Sequence, residues 1–203
     1  MTLSKRLFDI TLALLLMSVL ALPTGVLALW VLIRSGRPVF YLSERMKTPT
    51  EAFQLWKFRT MTVASGDTGV SGGDKTARIT PEGRILRRFR LDEIPQLWNI
   101  LKGDMSFVGP RPPLRQYVER FPGLYGAVLQ SRPGVTGLAT LLFHRHEERI
   151  LAECRSREET DSAYAKRCVP KKAYLDLIYQ RNRTLCYDVV IVIDTVRRVF
   201  RRH

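Results

Sequence analysis

The chain has 203 residues, with 33 lysines and arginines against 19 acids and a net charge of +14. That size suits one main domain with an appendage, and that charge calls for an anionic partner: nucleic acid, an anionic membrane surface or a phosphorylated substrate. The three cysteines, Cys154, Cys168 and Cys186, are widely spaced and form no C-x-x-C pair. They argue against a disulfide framework or zinc site and read as reduced thiols facing a cytosol.

Residues 7–33 are almost wholly apolar, interrupted by Asp9, Thr11, Ser18, Pro23, Thr24 and Gly25. Roughly 27 residues of helix reach about 40 Å, against about 30 Å of bilayer hydrocarbon. The run is too long for a signal peptide, and no small-residue cleavage site precedes Arg34 and Arg37. On hydropathy alone it reads as one transmembrane helix. Two details weigh the other way. Pro23, followed by Thr24 and Gly25, is where a kink would form. Lys5 and Arg6 before the run and Arg34 and Arg37 after it give the positive-inside rule no direction. A helix that bends at Pro23 and leaves on the face it entered keeps all these cations on one side, with Ser18 or Thr24 satisfying the bent backbone. At the level of residues both paths stay open.

Strands are expected at 39–42, after Arg37-Pro38, and at 53–58, where apolar residues alternate with polar ones. Residues 65–76 read as a polar loop. Its Gly-Asp-Lys-Thr ending is not a P-loop, because Asp74 stands where that motif needs glycine and no apolar strand immediately precedes it. Thr80 and Pro81 predict a helix start carrying Arg84, Arg87 and Arg88. A second helix is expected over 92–101, with Gly103 ending it. Further helices are expected at 114–121, 143–159, 171–180 and 187–200, with a turn at 132–137. The last helix gathers Arg197, Arg198, Arg201 and Arg202 at its end, so it could lie on a bilayer or complete the core.

The chemistry concentrates in two motifs. Leu91-Asp92-Glu93-Ile94-Pro95-Gln96-Leu97 follows the arginines Arg84, Arg87, Arg88 and Arg90. Lys102-Gly103-Asp104-Met105-Ser106-Phe107-Val108-Gly109-Pro110-Arg111-Pro112 then holds Arg111 between prolines. Adjacent carboxylates, arginines and a stiff turn suggest phosphate chemistry. Taken alone, Asp92 reads as a helix N-cap. The same place also keeps a carboxylate ionised, able to attack phosphorus or bind Mg²⁺. Glu93 is the second carboxylate, positioning groups or moving protons, or simply a first-turn acid. Lys57 and Arg59, two residues apart, share one strand face and could meet phosphates, lipid headgroups or only solvent. His144, His146 and Cys154 lack the spacing of a metal site and read as surface residues.

These motifs resemble the monotopic phosphoglycosyl transferases, or bacterial sugar transferases, of the small catalytic-core type. The resemblance runs through Lys5-Arg6-Leu7-Phe8-Asp9, Lys57-Phe58-Arg59-Thr60-Met61, the two motifs above, and Arg132-Pro133-Gly134-Val135-Thr136-Gly137. It closes on Leu175-Asp176 with Tyr179, then Tyr187-Asp188. It implies an α+β fold, mostly helical with a small β-hairpin or sheet. Residues 1–37 would form a re-entrant membrane helix hairpin, and 38–203 a cytoplasmic catalytic domain with membrane-surface amphipathic helices. It also implies a reaction: a sugar 1-phosphate passes from a UDP-sugar to undecaprenyl phosphate, releasing UMP, at the cytoplasmic face of the bacterial inner membrane. This is the first membrane step of exopolysaccharide or lipopolysaccharide synthesis. Asp92 would be the nucleophile that forms a phosphosugar intermediate, Glu93 its dyad partner, and Mg²⁺ would bind at Asp92. Arg111, Lys57, Arg88 and Arg59 would contact phosphates. Membrane lipids would be partners and nucleic acid would not; a homodimer stays open. Two departures stand out. Leu22-Pro23 replaces the family's Ser-Pro at the helix break, and residues 138–172 leave the family pattern after Gly137, so no sugar-binding residue carries over there.

Two other classes compete. A membrane-tethered interaction module, gripping anionic lipid with its basic charge, predicts that Asp92→Asn changes nothing. A basic nucleic-acid binder has only lysine and arginine abundance in its favour, and the hydrophobic anchor opposes it.

Overall fold

Thr2 starts the longest element: its hydroxyl accepts a hydrogen bond from the Lys5 amide at 3.3 Å and caps helix α1, Leu3–Ser35. The structure, a computed structural model, describes residues 2–63 and 73–200. The helix is long and apolar enough to cross a membrane, and its leucines and valines, from Leu7 to Leu22 and Ile33, are largely exposed. It is continuous through Pro23. The proline ring removes one helical hydrogen bond, so a re-entrant path would be made by bending there, not by a loop between two helices.

Both ends of α1 are fastened to the same body. At the start, Lys5 Nζ meets the Asp188 carboxylate at 2.5 Å and the Val108 carbonyl at 3.1 Å. Arg6 donates to the carbonyls of Ile100 and Leu101 at 2.6 and 2.8 Å. Asp9, fully buried, accepts from Ser106 Oγ and the Phe107 amide. At the other end the Arg59 guanidinium collects the carbonyls of Ser35, Gly36 and Arg37 at 2.5, 2.9 and 3.2 Å, and Ser35 donates to Glu82.

Strand β1, Phe40–Met46, pairs antiparallel with β2, Ala52–Phe58, in register from Phe40 opposite Phe58 to Met46 opposite Ala52. Both run longer than expected, the first to Met46. The free edge of β2 is closed by one side chain. Asn99, fully buried, accepts from the Trp56 amide at 3.0 Å and donates to the Gln54 carbonyl at 2.7 Å, as a neighbouring strand would.

The polar loop expected at 65–76 lies mostly outside the described residues; Gly73–Arg78 forms a 3-10 turn. Helix α2, Pro81–Arg88, starts as predicted, with Thr80 as its cap. A 3-10 turn, Leu91–Glu93, precedes α3, Gln96–Lys102, and Gly103 ends it at φ 85°. Asp92 is therefore not a helix cap: it sits inside the short turn, and Pro95 stands before α3.

The expected turn at 132–137 contains a strand. β3, Ser106–Val108, pairs parallel with β4, Gly134–Thr136. The glycines of both motifs are explained by this contact. A Cβ on Gly109 would lie 2.1 Å from the Arg132 carbonyl, and one on Gly134 would lie 2.2 Å from the Gly109 amide. Only bare backbone lets the two segments touch.

Helices α4, Arg115–Arg120, and α5, Pro122–Val128, follow; the second was not expected. The single charged helix expected at 143–159 is two, α6, Leu138–Ala152, and α7, Arg157–Ala163. Ser156 caps α7 by accepting from the Glu159 amide at 3.1 Å, while the Glu159 carboxylate accepts from the Arg155 amide. A π-turn, Tyr164–Cys168, leads into α8, Val169–Asn182, and α9 runs Leu185–Phe200. Cys154 belongs to the interior, correcting its reading as a surface residue, and His144 is half-buried; only His146 is exposed.

The apolar clusters are built on this order. Ala13 of α1 packs with Phe53, Leu55, Ile100, Met105 and Ile191. Val31, near the other end of α1, packs with Phe58 and Leu86. Met46, Tyr117, Val128, Leu151 and Val169 form a third group beneath α4 to α8. Outside these, Ile85 and Phe89, Trp98, and Val190, Ile193 and Val196 of α9 leave apolar surface exposed.

Candidate active site

Lys57 stands on the row of β2 that carries Phe53 and Leu55, so its alternation points it into the protein. There it meets Glu93 at 3.0 Å. Arg111, delivered by the turn between Pro110 and Pro112, reaches the same Glu93 oxygen at 3.3 Å with its side chain 37% exposed. Arg90 binds the other Glu93 oxygen. Three cations thus converge on one buried carboxylate. Burial opposes the charge on Glu93, yet Lys57, Arg90 and Arg111 together hold its carboxyl well below the usual range. A carboxyl held ionised so firmly is a poor proton carrier. It is suited to keeping the cations in place.

Asp92 is equally buried but differently treated. Among the described residues nothing donates a hydrogen bond to its carboxylate. Burial, and then the negative charge of Glu93, push its carboxyl above the usual range, with Lys57, Arg90 and Arg87 pulling it back. Two adjacent carboxylates therefore have opposed environments, one saturated with cations and one with its oxygens uncommitted.

Arg90 has φ 56° and ψ 24°, a left-handed conformation at a non-glycine residue. Such a conformation costs about 1–2 kcal/mol. It turns the chain from α2 into the 3-10 turn and brings the Arg90 side chain back onto Glu93. Arg87, donating to the Thr60 hydroxyl at 2.9 Å, contributes its charge to Asp92. Neither arginine was singled out in the sequence. Arg90 belonged only to a basic run, and nothing in the residue string marks a positive φ at arginine.

Of the expected phosphate contacts, the structure brings Lys57 and Arg111 to the carboxylates. It does not bring Arg59, which is buried against the end of α1. Nor does it bring Arg88, whose guanidinium lies 5.6 Å from the Phe89 ring centroid on the exposed face of α2. Lys57 and Arg59 share parity, but β2 ends at Phe58, so Arg59 is released from the strand's geometry.

No group of three or more metal-ligating side chains occurs among the described residues. A magnesium ion held by one carboxylate together with substrate phosphates needs no such group. The uncommitted oxygens of Asp92 fit that arrangement; those of Glu93, already taken by cations, do not.

A family model described as bacterial sugar transferase matches residues 1–202. The chain is 34% identical over 199 residues to the "uncharacterized sugar transferase EpsL" of Bacillus subtilis (strain 168), covering 96% of this chain and 86% of that protein. It is 34% identical over 200 residues to UDP-glucose:undecaprenyl-phosphate glucose-1-phosphate transferase of Escherichia coli (strain K12), covering 97% of this chain and 40% of that protein. It is 31% identical over 214 residues to undecaprenyl-phosphate galactose phosphotransferase of Salmonella typhimurium, covering 98% and 40%. Thus it spans most of EpsL but about two-fifths of the length of the other two. With its carboxylate pair, its cations and its anchored apolar helix, this chain belongs to the bacterial sugar transferase family.

Proposed function

We propose that the protein transfers a sugar 1-phosphate from a UDP-sugar to undecaprenyl phosphate in two steps through Asp92. A carboxylate oxygen of Asp92 attacks the phosphorus that carries the sugar. The bond from that phosphorus to the UMP oxygen breaks, and UMP leaves. The polyprenyl phosphate oxygen then attacks the same phosphorus and the Asp92 carboxylate departs. The uncommitted, buried carboxylate beside a cation-saturated one is the observation that carries this reading. A nucleophile must have open oxygens, and nearby cations must offset the charge gathering on the phosphoryl group.

Lys57, Arg90 and Arg111 are the cations available for that charge, and Arg111, being the most exposed of the three, is the one offered to the donor diphosphate. Glu93 acts as their organiser, not as the proton carrier that its sequence position also allowed. Magnesium, when bound, supplies charge neutralisation at the diphosphate, with Asp92 as its protein ligand.

The fastening of α1 supports the membrane placement proposed here. Both of its ends are held by the charged body, so neither is carried to the far side of a bilayer. The helix enters and leaves on one face, the cytoplasmic face of the inner membrane, with the bend at Pro23. Exposed Ile85, Phe89 and Trp98 flank the catalytic turn in the chain, and α9 adds an apolar stripe ending in Arg197 and Arg198. This surface suits a lipid-borne acceptor.

The test is release of UMP from a panel of UDP-sugars, including UDP-glucose, UDP-galactose and UDP-N-acetylgalactosamine. The full chain would be in lipid particles with Mg²⁺ and undecaprenyl phosphate, beside Asp92→Asn. Asp92-dependent release, with a phosphosugar adduct on Asp92 by mass spectrometry, is expected. Turnover that survives Asp92→Asn overturns the reading.

A further inference from the structure

A second gathering of cations lies at the end of α3 remote from Asp92, beside the start of α1. The chain leaves α3 at Gly103, with an arginine on two sides of that glycine. A Cβ placed on Gly103 would lie 3.4 Å from Arg6 Nη2 and 3.5 Å from Arg132 Nη1. The two guanidinium groups therefore border one small space, which the bare glycine leaves open. They are held differently. Arg6 is fixed by the Ile100 and Leu101 carbonyls, and each of its Nη atoms still has a second proton to donate. Arg132, half-buried, makes no hydrogen bond and no ion pair among the described residues. Burial and the Arg6 charge push its guanidinium down, and Asp9, Asp104 and Glu51 do not offset them. Those three acids are engaged elsewhere. Asp9 accepts from Ser106 and the Phe107 amide, and Glu51 pairs with Lys47 at 2.9 Å. Asp104 accepts from Asn99 at 3.2 Å and lies 3.7 Å from Lys102. Lys102, with a side chain 53% exposed, adds a third cation next to Gly103. Two arginines around an open space, with the local acids spent, suit an anion of several oxygens such as phosphate.

The surroundings point to where that phosphate comes from. Leu3 and Leu7, on either side of Arg6 in α1, are 86% and 64% exposed. Trp98 and Lys102, four residues apart, share a face of α3 and are both exposed. Exposed leucines, a tryptophan and a long-stemmed lysine match the headgroup level of a bilayer. A soluble phosphate needs none of this apolar surface. The space is also separate from the candidate active site. Asp92 precedes α3 and Gly103 follows it, so the seven residues of that helix, about 10 Å, lie between them.

We propose that Arg6, Arg132 and Lys102 form a binding site for the phosphate of an anionic phospholipid, where α1 enters the membrane. The proposal rests on the membrane placement of α1 and not on the reaction. The probe is phosphatidylglycerol, with phosphatidylcholine as the comparison. The full chain in neutral detergent would be mixed with each lipid, and retained lipid read by native mass spectrometry. Phosphatidylglycerol is expected to be held about tenfold more tightly than phosphatidylcholine. Arg132→Gln should lose this preference. Arg132→Lys should keep part of it, because lysine restores the charge but not the fork. Arg197→Gln removes the same charge from α9 and should leave the preference intact. Phosphatidylglycerol should also raise the melting temperature of the parent and of Arg197→Gln by a few degrees, and that of Arg132→Gln not at all. Melting without lipid shows whether each variant is folded. Lys102→Gln, at an exposed position, should weaken retention about threefold and decides the matter if Arg132→Gln does not fold. Equal retention of the two lipids, or equal loss in Arg132→Gln and Arg197→Gln, overturns the proposal. Release of the lipid by inorganic phosphate marks a site for soluble anions and overturns it too. A parent that fails to enter lipid particles would sink the membrane placement itself, whereas entry without lipid preference sinks the site alone. Absence of UMP release would count against the reaction and leave these readings unchanged.

Discussion

Lys57, inside β2, and Arg59, just past its end, stand two residues apart and carry the same charge, yet they serve different parts of the molecule. Lys57 meets an anion, Glu93, inside the candidate active site. Among the described residues Arg59 meets no carboxylate; its guanidinium gathers three carbonyls where α1 ends. The difference teaches what strand parity can decide. It sets the direction of a side chain while the strand lasts. Beyond Phe58 the partner depends on which backbone groups are left unpaired, and the end of a long helix leaves several.

The largest effect that separates the two regions is expected at Asp92. Asp92→Asn should reduce turnover about 10⁴-fold or more, since the proposed nucleophile is removed. It should not destabilise the fold. The carboxyl of Asp92 is raised in the folded state, so its favourable contribution is complete only below the ordinary carboxylate pKa and is lost as pH rises through the raised value. At neutral pH the ionised group costs stability, and the asparagine variant should melt slightly higher by calorimetry. A lower melting temperature would mean that Asp92 has a structural partner.

Next come the two cations themselves. Lys57→Met should lower kcat about 100-fold, by removing a charge from the proposed phosphoryl site. Arg59→Met should leave the kcat of folded protein within a few-fold and lower stability by about 3 kcal/mol, because buried carbonyls lose a charged donor. Chemical denaturation and turnover measured on the same samples would separate the effects; matching losses in both variants would erase the distinction drawn here.

A smaller, directional effect concerns pH. Turnover should fall on the acid side as the raised Asp92 carboxyl takes up a proton. Glu93→Gln removes the repelling charge, so that limb should move to lower pH in whatever activity remains. Movement to higher pH would show that Glu93 does not act on Asp92 as the geometry requires. The smallest change tests the strand that carries Lys57 and leads into Arg59. Asn99→Leu leaves the Trp56 amide and Gln54 carbonyl without partners, and should cost about 1–3 kcal/mol and lower activity only through the loss of folded protein.

Local rules made some of this legible in the residues. Thr80 and Pro81 start a helix because a hydroxyl cap and a fixed φ favour that start, and Gly103 ends one because it can adopt a positive φ. The split between α6 and α7 was also readable. Ser156 followed three residues later by Glu159 is a capping box, but charge continuity hid it. The pairing of β3 with β4 had no such signal. Three-residue strands show no alternation, and their partners lie about 28 residues apart and parallel. At the site, proximity along the chain revealed Asp92 and Glu93, and the proline bracket revealed Arg111. The opposed environments of the two carboxylates arise from Lys57, Arg90 and Arg111, which converge from a strand, a strained turn and a rigid loop. That convergence is a property of packing and is not written in any one segment.

The carbonyl clasp of Arg59 also bears on how the chain reaches its bilayer. With Lys5 and Arg6 docked at one end of α1 and the 35–37 backbone clasped at the other, no formal charge flanking the helix needs to be moved through hydrocarbon. On the proposed re-entrant path, assembly would amount to dipping a greasy bend of helix into one leaflet while the folded domain stays put. On that proposed path, a reporter joined before Thr2 would share a compartment with one joined after α9.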